Sequence, residues 1–285
     1  NNTATALNEA VALSLLRETG LASQDVAYVR FDVNGSQPRL RLVIENPDDL
    51  WMAKNFDISG ALYKAESSGD YSYRGQDPQA YDEVFDQEAG KKNTDLAPLV
   101  DFLYFLNTAD DQTFSAELPE RLDIYAFADY LAFEDLIGNF DDIDGPGNNS
   151  YLYYDPRTGR FTVVAWDHNL AFGMGMGKGR EGLVVNPAAK AGGDGRPGQG
   201  PFGAGRPGPR GRSNVLVERF KANPEWVKLY EERLEALKNK LCASGLAAEV
   251  LDYWVQLLSK QAGDLVAAGM LEAEASHISA YFSNK

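Results

Sequence analysis

The sequence predicts an α+β fold, with a small mixed α/β part over residues 1–95 and a mainly helical part over residues 96–285. Three observations predict it. Strand-like runs gather early in the chain, at 26–33, 40–44 and 61–65. Helical spacing of apolar residues dominates from residue 96 onward. Within that helical part, the runs Tyr151–Tyr154 and Phe161–Ala165 flank the turn Asp155-Pro156-Arg157-Thr158-Gly159 and read as a β-hairpin.

Taken in order, Leu7, Val11 and Leu15 recur at helical spacing with Leu16 beside them, and Gly20 can close that helix. Val26 to Val33 and Leu40 to Ile44 alternate as strands around the turn Asn34-Gly35-Ser36-Gln37-Pro38. Asp48 to Phe56 is expected as a short helix, and Ala61 to Ala65 as a further strand carrying Lys64. The polar stretch from Ser67 to Asn93 is expected at the surface, and helical spacing resumes from Leu96 to Leu106. Leu122 to Leu136 is a strong helix, with Asp123 as its cap and Ile124, Phe127, Leu131 and Phe133 for a core. Beyond the hairpin, Gly173 to Arg212 is dominated by Gly, Pro, Arg and Lys and fits a flexible loop. Its Gly173–Gly179 portion lacks the phosphate-loop spacing Gly-x-x-x-x-Gly-Lys-(Ser/Thr). Asn223 and Pro224 open a helix running to Leu241. Helices over 247–267 and 272–282 complete the chain, with Trp226, Tyr230, Leu237, Leu251, Trp254, Leu257 and Leu258 as core.

Composition narrows the function classes. At 285 residues, with 44% hydrophobic content and 14 each of Tyr and Phe, the chain can bury a full core and is not globally disordered. A net charge of −15 argues against nucleic acid or an anionic membrane as the main partner and suits cations. No apolar run approaches the ~20 residues of a membrane span. The single Cys242, in a helical pattern, excludes an intrachain disulfide and is expected to be buried. The chain begins at Asn1 without Met or a signal-peptide pattern, so it is expected to be a trimmed piece of a longer protein.

The strong helix runs straight into an acidic loop: Asp141, Asp142 and Asp144, then Gly145-Pro146-Gly147 and Asn148-Asn149. Because a hairpin folds back on itself, Asp144, Asn149 and Asp167 share one neighbourhood at its open end. Two carboxylates and a carboxamide suit a hard cation such as Mg2+, which takes one or two carboxylates plus substrate phosphates. By itself the loop reads equally well as an Asx-rich turn. Asp142-x-Asp144-Gly145 matches only a fragment of a calcium loop. Asn148-Asn149-Ser150 also fits a glycosylation acceptor. His168 and His277 are the only histidines, and no Gly-x-Ser-x-Gly elbow or zinc spacing supports a triad or a zinc site.

Protein kinases have the same order of parts: a long helix, a catalytic Asp with a metal-binding Asn five residues on, a hairpin, then a metal-binding Asp near Phe-Gly. Here Asp144 to Asn149 is D-x-x-x-x-N, and Asp167 precedes Phe172-Gly173 without a contiguous Asp-Phe-Gly. Asn139, the three Asp residues, Asn148-Asn149, Tyr151-Leu152-Tyr153, the Asp155–Gly159 turn and Trp166-Asp167-His168-Asn169-Leu170-Ala171-Phe172-Gly173 together resemble the CotH (spore coat protein H) family of atypical kinases. Leu62–Glu66 and Asn214–Arg219 carry weaker similarity.

The resemblance implies an atypical protein-kinase-like two-lobed fold, with the small lobe in 1–95 and the large lobe in 96–285. It implies phosphorylation of Ser/Thr hydroxyls on a protein substrate, using ATP with Mg2+ or Mn2+. Asp144, with Asp142 as its rival and Asp141 also open, is implied as the catalytic carboxylate. Asn149 and Asp167 are implied as metal ligands, and Lys64 with Glu45 or Glu66 as the nucleotide-binding set. The Gly/Pro-rich stretch takes the place of an activation segment, and family members have more sequence before Asn1. A secreted, cell-surface or spore-associated bacterial protein is implied. The rival readings are a kinase-like binding module without turnover and an extracellular Ca2+-binding scaffold module.

Overall fold

The computed structural model describes residues 3–146, 148–173 and 214–285. The Gly/Pro-rich stretch expected as a flexible loop over 173–212 therefore lies, from residue 174 on, outside the described residues, as do residues 1, 2, 147 and 213. Helix α1 (Leu7–Thr19) closes at Gly20, whose φ of 93° only glycine adopts at little cost. Strands β1 (Val26–Phe31) and β2 (Arg39–Ile44) form an antiparallel ribbon of their own. Helix α2 (Asp49–Asn55) starts where the Asp48 carboxylate accepts the amides of Leu50 and Trp51.

Strand β3 (Ala61–Ala65) lies inside a four-stranded antiparallel sheet of order β4-β3-β5-β6, where β4 is Phe85–Ala89, β5 Ser150–Asp155 and β6 Arg160–Ala165. The stretch 67–93 was expected wholly at the surface; β4 corrects that, because Phe85 and Ala89 are buried ends of a strand whose polar residues lie between them. The sheet joins residues from both sides of position 95, through the pairs Lys64–Tyr151 and Leu62–Tyr153. Its two faces divide by the period of two along a strand. Ala61, Tyr63, Ala65, Leu152, Val163 and Ala165 belong to the main core. Leu62, Tyr151, Tyr153 and Val164 meet Trp51 and Met52 of α2 in a smaller cluster.

The helical part comprises α3 (Ala97–Thr108), α4 (Asp111–Arg121), α5 (Ile124–Ile137), α6 (Val215–Ala222), α7 (Pro224–Leu237), α8 (Leu246–Gln261) and α9 (Ala268–Phe282). Asp123 caps α5 by accepting the amides of Tyr125 and Ala126. Phe220 of α6 is fully buried, stacked on Trp226 at 5.3 Å and edge-on to Phe127 of α5 at 5.0 Å. Rings of this size contribute about 1.5–3 kcal/mol each by burial. The helix opened by Pro224 stops at Leu237, short of the expected Leu241, and passes into a π turn over Lys238–Ala243. Cys242 lies in that turn and is half-buried rather than buried.

Helix α9 is bonded to the end of α5 and to the segment after β6. Tyr281 donates its hydroxyl proton to the Leu136 carbonyl at 3.1 Å, and His277 Nε2 donates to the Phe172 carbonyl at 2.8 Å. Both acceptors flank the segments that matter next.

Candidate functional site

The last rung of the β5–β6 hairpin pairs Ser150 with Ala165. Asn149 and Trp166 are the next residues on either side, and Asp167 follows. Strand pairing alone thus brings Asn149 and Asp167 to one end of the hairpin, as the sequence predicts.

The acidic loop is folded by its own side chains. Helix α5 ends at Gly138, with φ 64°, where an added Cβ would fall 2.5 Å from the Tyr281 hydroxyl. The Asp142 carboxylate accepts the Asp144 amide at 3.0 Å, and the buried Tyr130 hydroxyl accepts the Ile143 amide at 3.0 Å. Gly145 is wedged against backbone: a Cβ there would sit 2.4 Å from the Phe140 carbonyl oxygen and 2.5 Å from Asp141 Cα. Asn149 Nδ2 donates to Asp141 Oδ2 at 3.2 Å, which leaves its carbonyl oxygen Oδ1 as the atom suited to a cation. Asn148 Nδ2 donates to the Glu66 carbonyl at 3.2 Å, tying the loop's end to the end of β3.

Asp144 is half-buried and held from the far side by α6. Its Oδ1 accepts the Asn214 amide at 3.0 Å, and Lys221 Nζ stands 3.6 Å from its Oδ2. Asn214 Nδ2 also donates to the Ile143 carbonyl at 3.3 Å while its Oδ1 caps α6. Sequence reasoning gave no site role to Asn214 or Lys221. Asn214 stands in the Asn214–Arg219 stretch singled out for similarity, whereas nothing local marks Lys221.

Asp167 has φ 58°, and its Oδ1 accepts the Asn169 amide at 3.4 Å. Asn148 and Phe172 also have positive φ, at 54° and 61°. Three left-handed non-glycine residues so close in the chain are a concentration of backbone strain, which typically gathers where a site dictates the conformation.

Lys64 forms an ion pair with Glu66 at 2.7 Å and lies opposite Tyr151, whose ring meets Trp166 edge-on at 5.4 Å. Lys64 and Glu66 therefore flank the loop end that carries Asn148 and Asn149. Glu45 lies elsewhere, after β2, where it meets Lys54 at 3.1 Å and the Asp25 amide at 2.9 Å. Of the two carboxylates weighed for Lys64, Glu66 is the one it meets.

Beneath the loop lies a charged layer that sequence reasoning missed. Glu134 of α5 is 1% exposed and lies 3.0 Å from Nε2 of the fully buried His168. Glu9 of α1 is 7% exposed. Burial, reinforced by the neighbouring Asp167, raises the Glu9 carboxyl to about 7. Asp142 is raised well above the usual carboxylate range, first by burial and then by Glu134. Part of its residue surface still reaches solvent, but the carboxylate itself is turned into the loop. For His168 burial works against the imidazolium, yet Glu134, Glu9 and Asp167 together outweigh it and the net shift is upward. The local signal for Glu134 is an acid on the core face of α5, whose other acids, Asp129 and Asp135, are not buried.

The donor chemistry at the hairpin's open end is all oxygen. Among the described residues no three His, Cys, Asp or Glu side chains converge as a self-sufficient metal cage. That set fits a cation that arrives with ligands of its own, as Mg2+ does with nucleotide phosphates. A cavity of about 480 Å3 lies beside β6 and the hairpin's turn, lined by residues such as Phe56, Asp57, Arg157 and Thr162. None of Lys64, Asp144, Asn149 and Asp167 lines it.

A family profile described as CotH kinase protein matches residues 2–268. The chain belongs to that family. The inner spore coat protein H of Bacillus subtilis (strain 168) is 23% identical to this CotH-family chain over 168 residues, covering 57% of the chain and 45% of the relative. The chain thus spans less than half the length of that relative. Among the described residues, no helix of this CotH-family protein is long and apolar enough to cross a membrane.

Proposed function

We propose that the chain is an atypical kinase of two lobes, with the sheet β4-β3-β5-β6 bridging the two sides of position 95, that phosphorylates Ser/Thr hydroxyls of a protein substrate with ATP and Mg2+ or Mn2+. The observation that carries this reading is the placement of Asn149 and Asp167 at the hairpin's open end by the Ser150–Ala165 rung, with Asp144, earlier in the loop that leads to Asn149, held by the Asn214 amide.

Asn149 Oδ1 and the Asp167 carboxylate would hold the metal. When bound, the metal neutralises phosphate charge, which with positioning supplies most of the catalysis in phosphoryl transfer. Asp144 takes the proton of the acceptor hydroxyl. The Asn214 amide fixes the orientation of its Oδ1, and Lys221 Nζ stands 3.6 Å from its Oδ2. Asp142 suits that role less, because its carboxylate is committed to the Asp144 amide and biased toward the protonated form. Lys64, steadied by Glu66, supplies the cation for the phosphates. The spore coat relative supports a spore-associated setting for the protein.

A thermal-shift titration with ATP, with and without Mg2+ or Mn2+, tests the site. Metal-dependent stabilisation that disappears in Asp167→Ala is expected. Stabilisation by Ca2+ alone, with no response to nucleotide, would sink the kinase reading in favour of a calcium module.

A further inference from the structure

The buried carboxylate of Glu134 has no direct part in the chemistry just described. It sits near the end of α5 among Phe133, Leu136 and Ile137, all essentially buried, where an apolar side chain would fill the space at lower desolvation cost. Its two oxygens are divided between two segments of chain. Oε2 accepts Nδ2 of Asn139 at 2.9 Å, and the Glu134 carbonyl accepts the Asn139 amide at 3.0 Å, so the start of the acidic loop is held. Oε1 lies 3.0 Å from Nε2 of His168, the residue that follows Asp167. His168 is fully buried and edge-on to Phe133 at 6.0 Å, so its ring cannot swing away without breaking core packing.

We infer that Glu134 is a positioning residue: through Asn139 on one side and His168 on the other, it fixes the spacing between the acidic loop and Asp167. What that spacing serves rests on the proposed kinase function, since one metal-holding residue stands at the end of each segment, Asn149 after the loop and Asp167 beside His168. The left-handed backbone of Asp167, at φ 58°, is then held by a neighbour that is itself anchored. Outer partners of this kind change metal affinity by about 10–100-fold when removed.

Hydrogen exchange followed by mass spectrometry on the nucleotide-free protein tests the clamp directly. Glu134→Ala is expected to raise exchange in both 139–146 and 166–170 while the hairpin between them stays protected. Glu134→Gln, whose oxygen can still accept from His168 Nε2 and whose amide can donate to the otherwise unpartnered Asn139 Oδ1 after an amide flip, recovers most of that protection. In parallel, Mn2+–ATP affinity read by Mn2+ paramagnetic resonance falls by about 10–100-fold in Glu134→Ala, recovers in Glu134→Gln, and changes far less for ATP without metal. A folded Glu134→Ala with unchanged exchange in either segment, or a Gln variant no better than Ala, overturns the inference. Should Glu134→Ala not fold, Asn139→Ser cuts only the loop side, and unchanged exchange at 139–146 overturns it equally. A wild-type protein that binds no Mn2+–ATP defeats the kinase reading, while the exchange data still decide the clamp.

Discussion

Glu9 offers a test of the charged layer by stability alone. The residue is 7% exposed, its carboxylate accepts no hydrogen bond from the described residues, and its pKa is raised from 4.5 to about 7 by burial and by Asp167. A carboxyl raised in the folded state binds its proton more tightly there than in the unfolded chain. Below pH ~4.5 both states are protonated and the group costs nothing; between pH ~4.5 and ~7 the cost grows; above that it is complete. At about 1.36 kcal/mol per pH unit the full cost is of order 3 kcal/mol, an upper figure that relaxation reduces. Glu9→Gln removes the ionisable group and keeps its shape. In urea unfolding with chelator present, the variant should therefore exceed the wild type by about 1–3 kcal/mol at pH 8, with the gap narrowing toward pH 5. The difference between the two proteins cancels other titrating groups. A variant less stable than wild type at pH 8, or a gap that ignores pH, would refute the placement of a carboxylate whose burial and Asp167 neighbour outweigh the attraction of His168.

Two further substitutions separate site from scaffold. Gly145→Ala forces a Cβ to within 2.4 Å of the Phe140 carbonyl oxygen, so the acidic loop must shift; metal-dependent ATP stabilisation should be lost with only a modest fall in melting temperature, and an unchanged nucleotide response would contradict the wedge. Phe220→Ala empties a fully buried site between Phe127 and Trp226 and should cost about 3–5 kcal/mol by chemical denaturation, whereas a loss below ~1 kcal/mol would mean that the α5–α6–α7 junction is looser than described.

What was legible in the sequence was local. Asp123 before an apolar stripe gave α5, Gly20 after another gave the end of α1, and the Asp155–Gly159 turn gave the hairpin that brings Asn149 and Asp167 together. What was not legible depended on distant partners. Strand β4 hid in a polar stretch because only Phe85 and Ala89 face inward, and its partner β3 lies beyond a long loop. No periodicity indicates that Lys64 will lie opposite Tyr151, or that Glu45 will turn to Lys54 while Glu66 meets Lys64. The anchoring of Asp144 by Asn214 and Lys221 spans about seventy residues of chain, and the pairing of Glu134 with His168 crosses the whole hairpin. Buried charges look like errors in an apolar pattern until the fold supplies their partners.

The most direct measurement of the central claim is transfer of the γ-phosphate from labelled ATP to protein, with Mg2+ or Mn2+ present or chelated, for wild type, Asp144→Asn and Asp167→Ala. The account predicts metal-dependent label on Ser or Thr in the wild type, reduced by two or more orders of magnitude in both variants while their folds persist. Nucleotide-dependent stabilisation without any transfer would contradict it and make this chain a binding module; transfer that survives Asp144→Asn would move the base to another carboxylate.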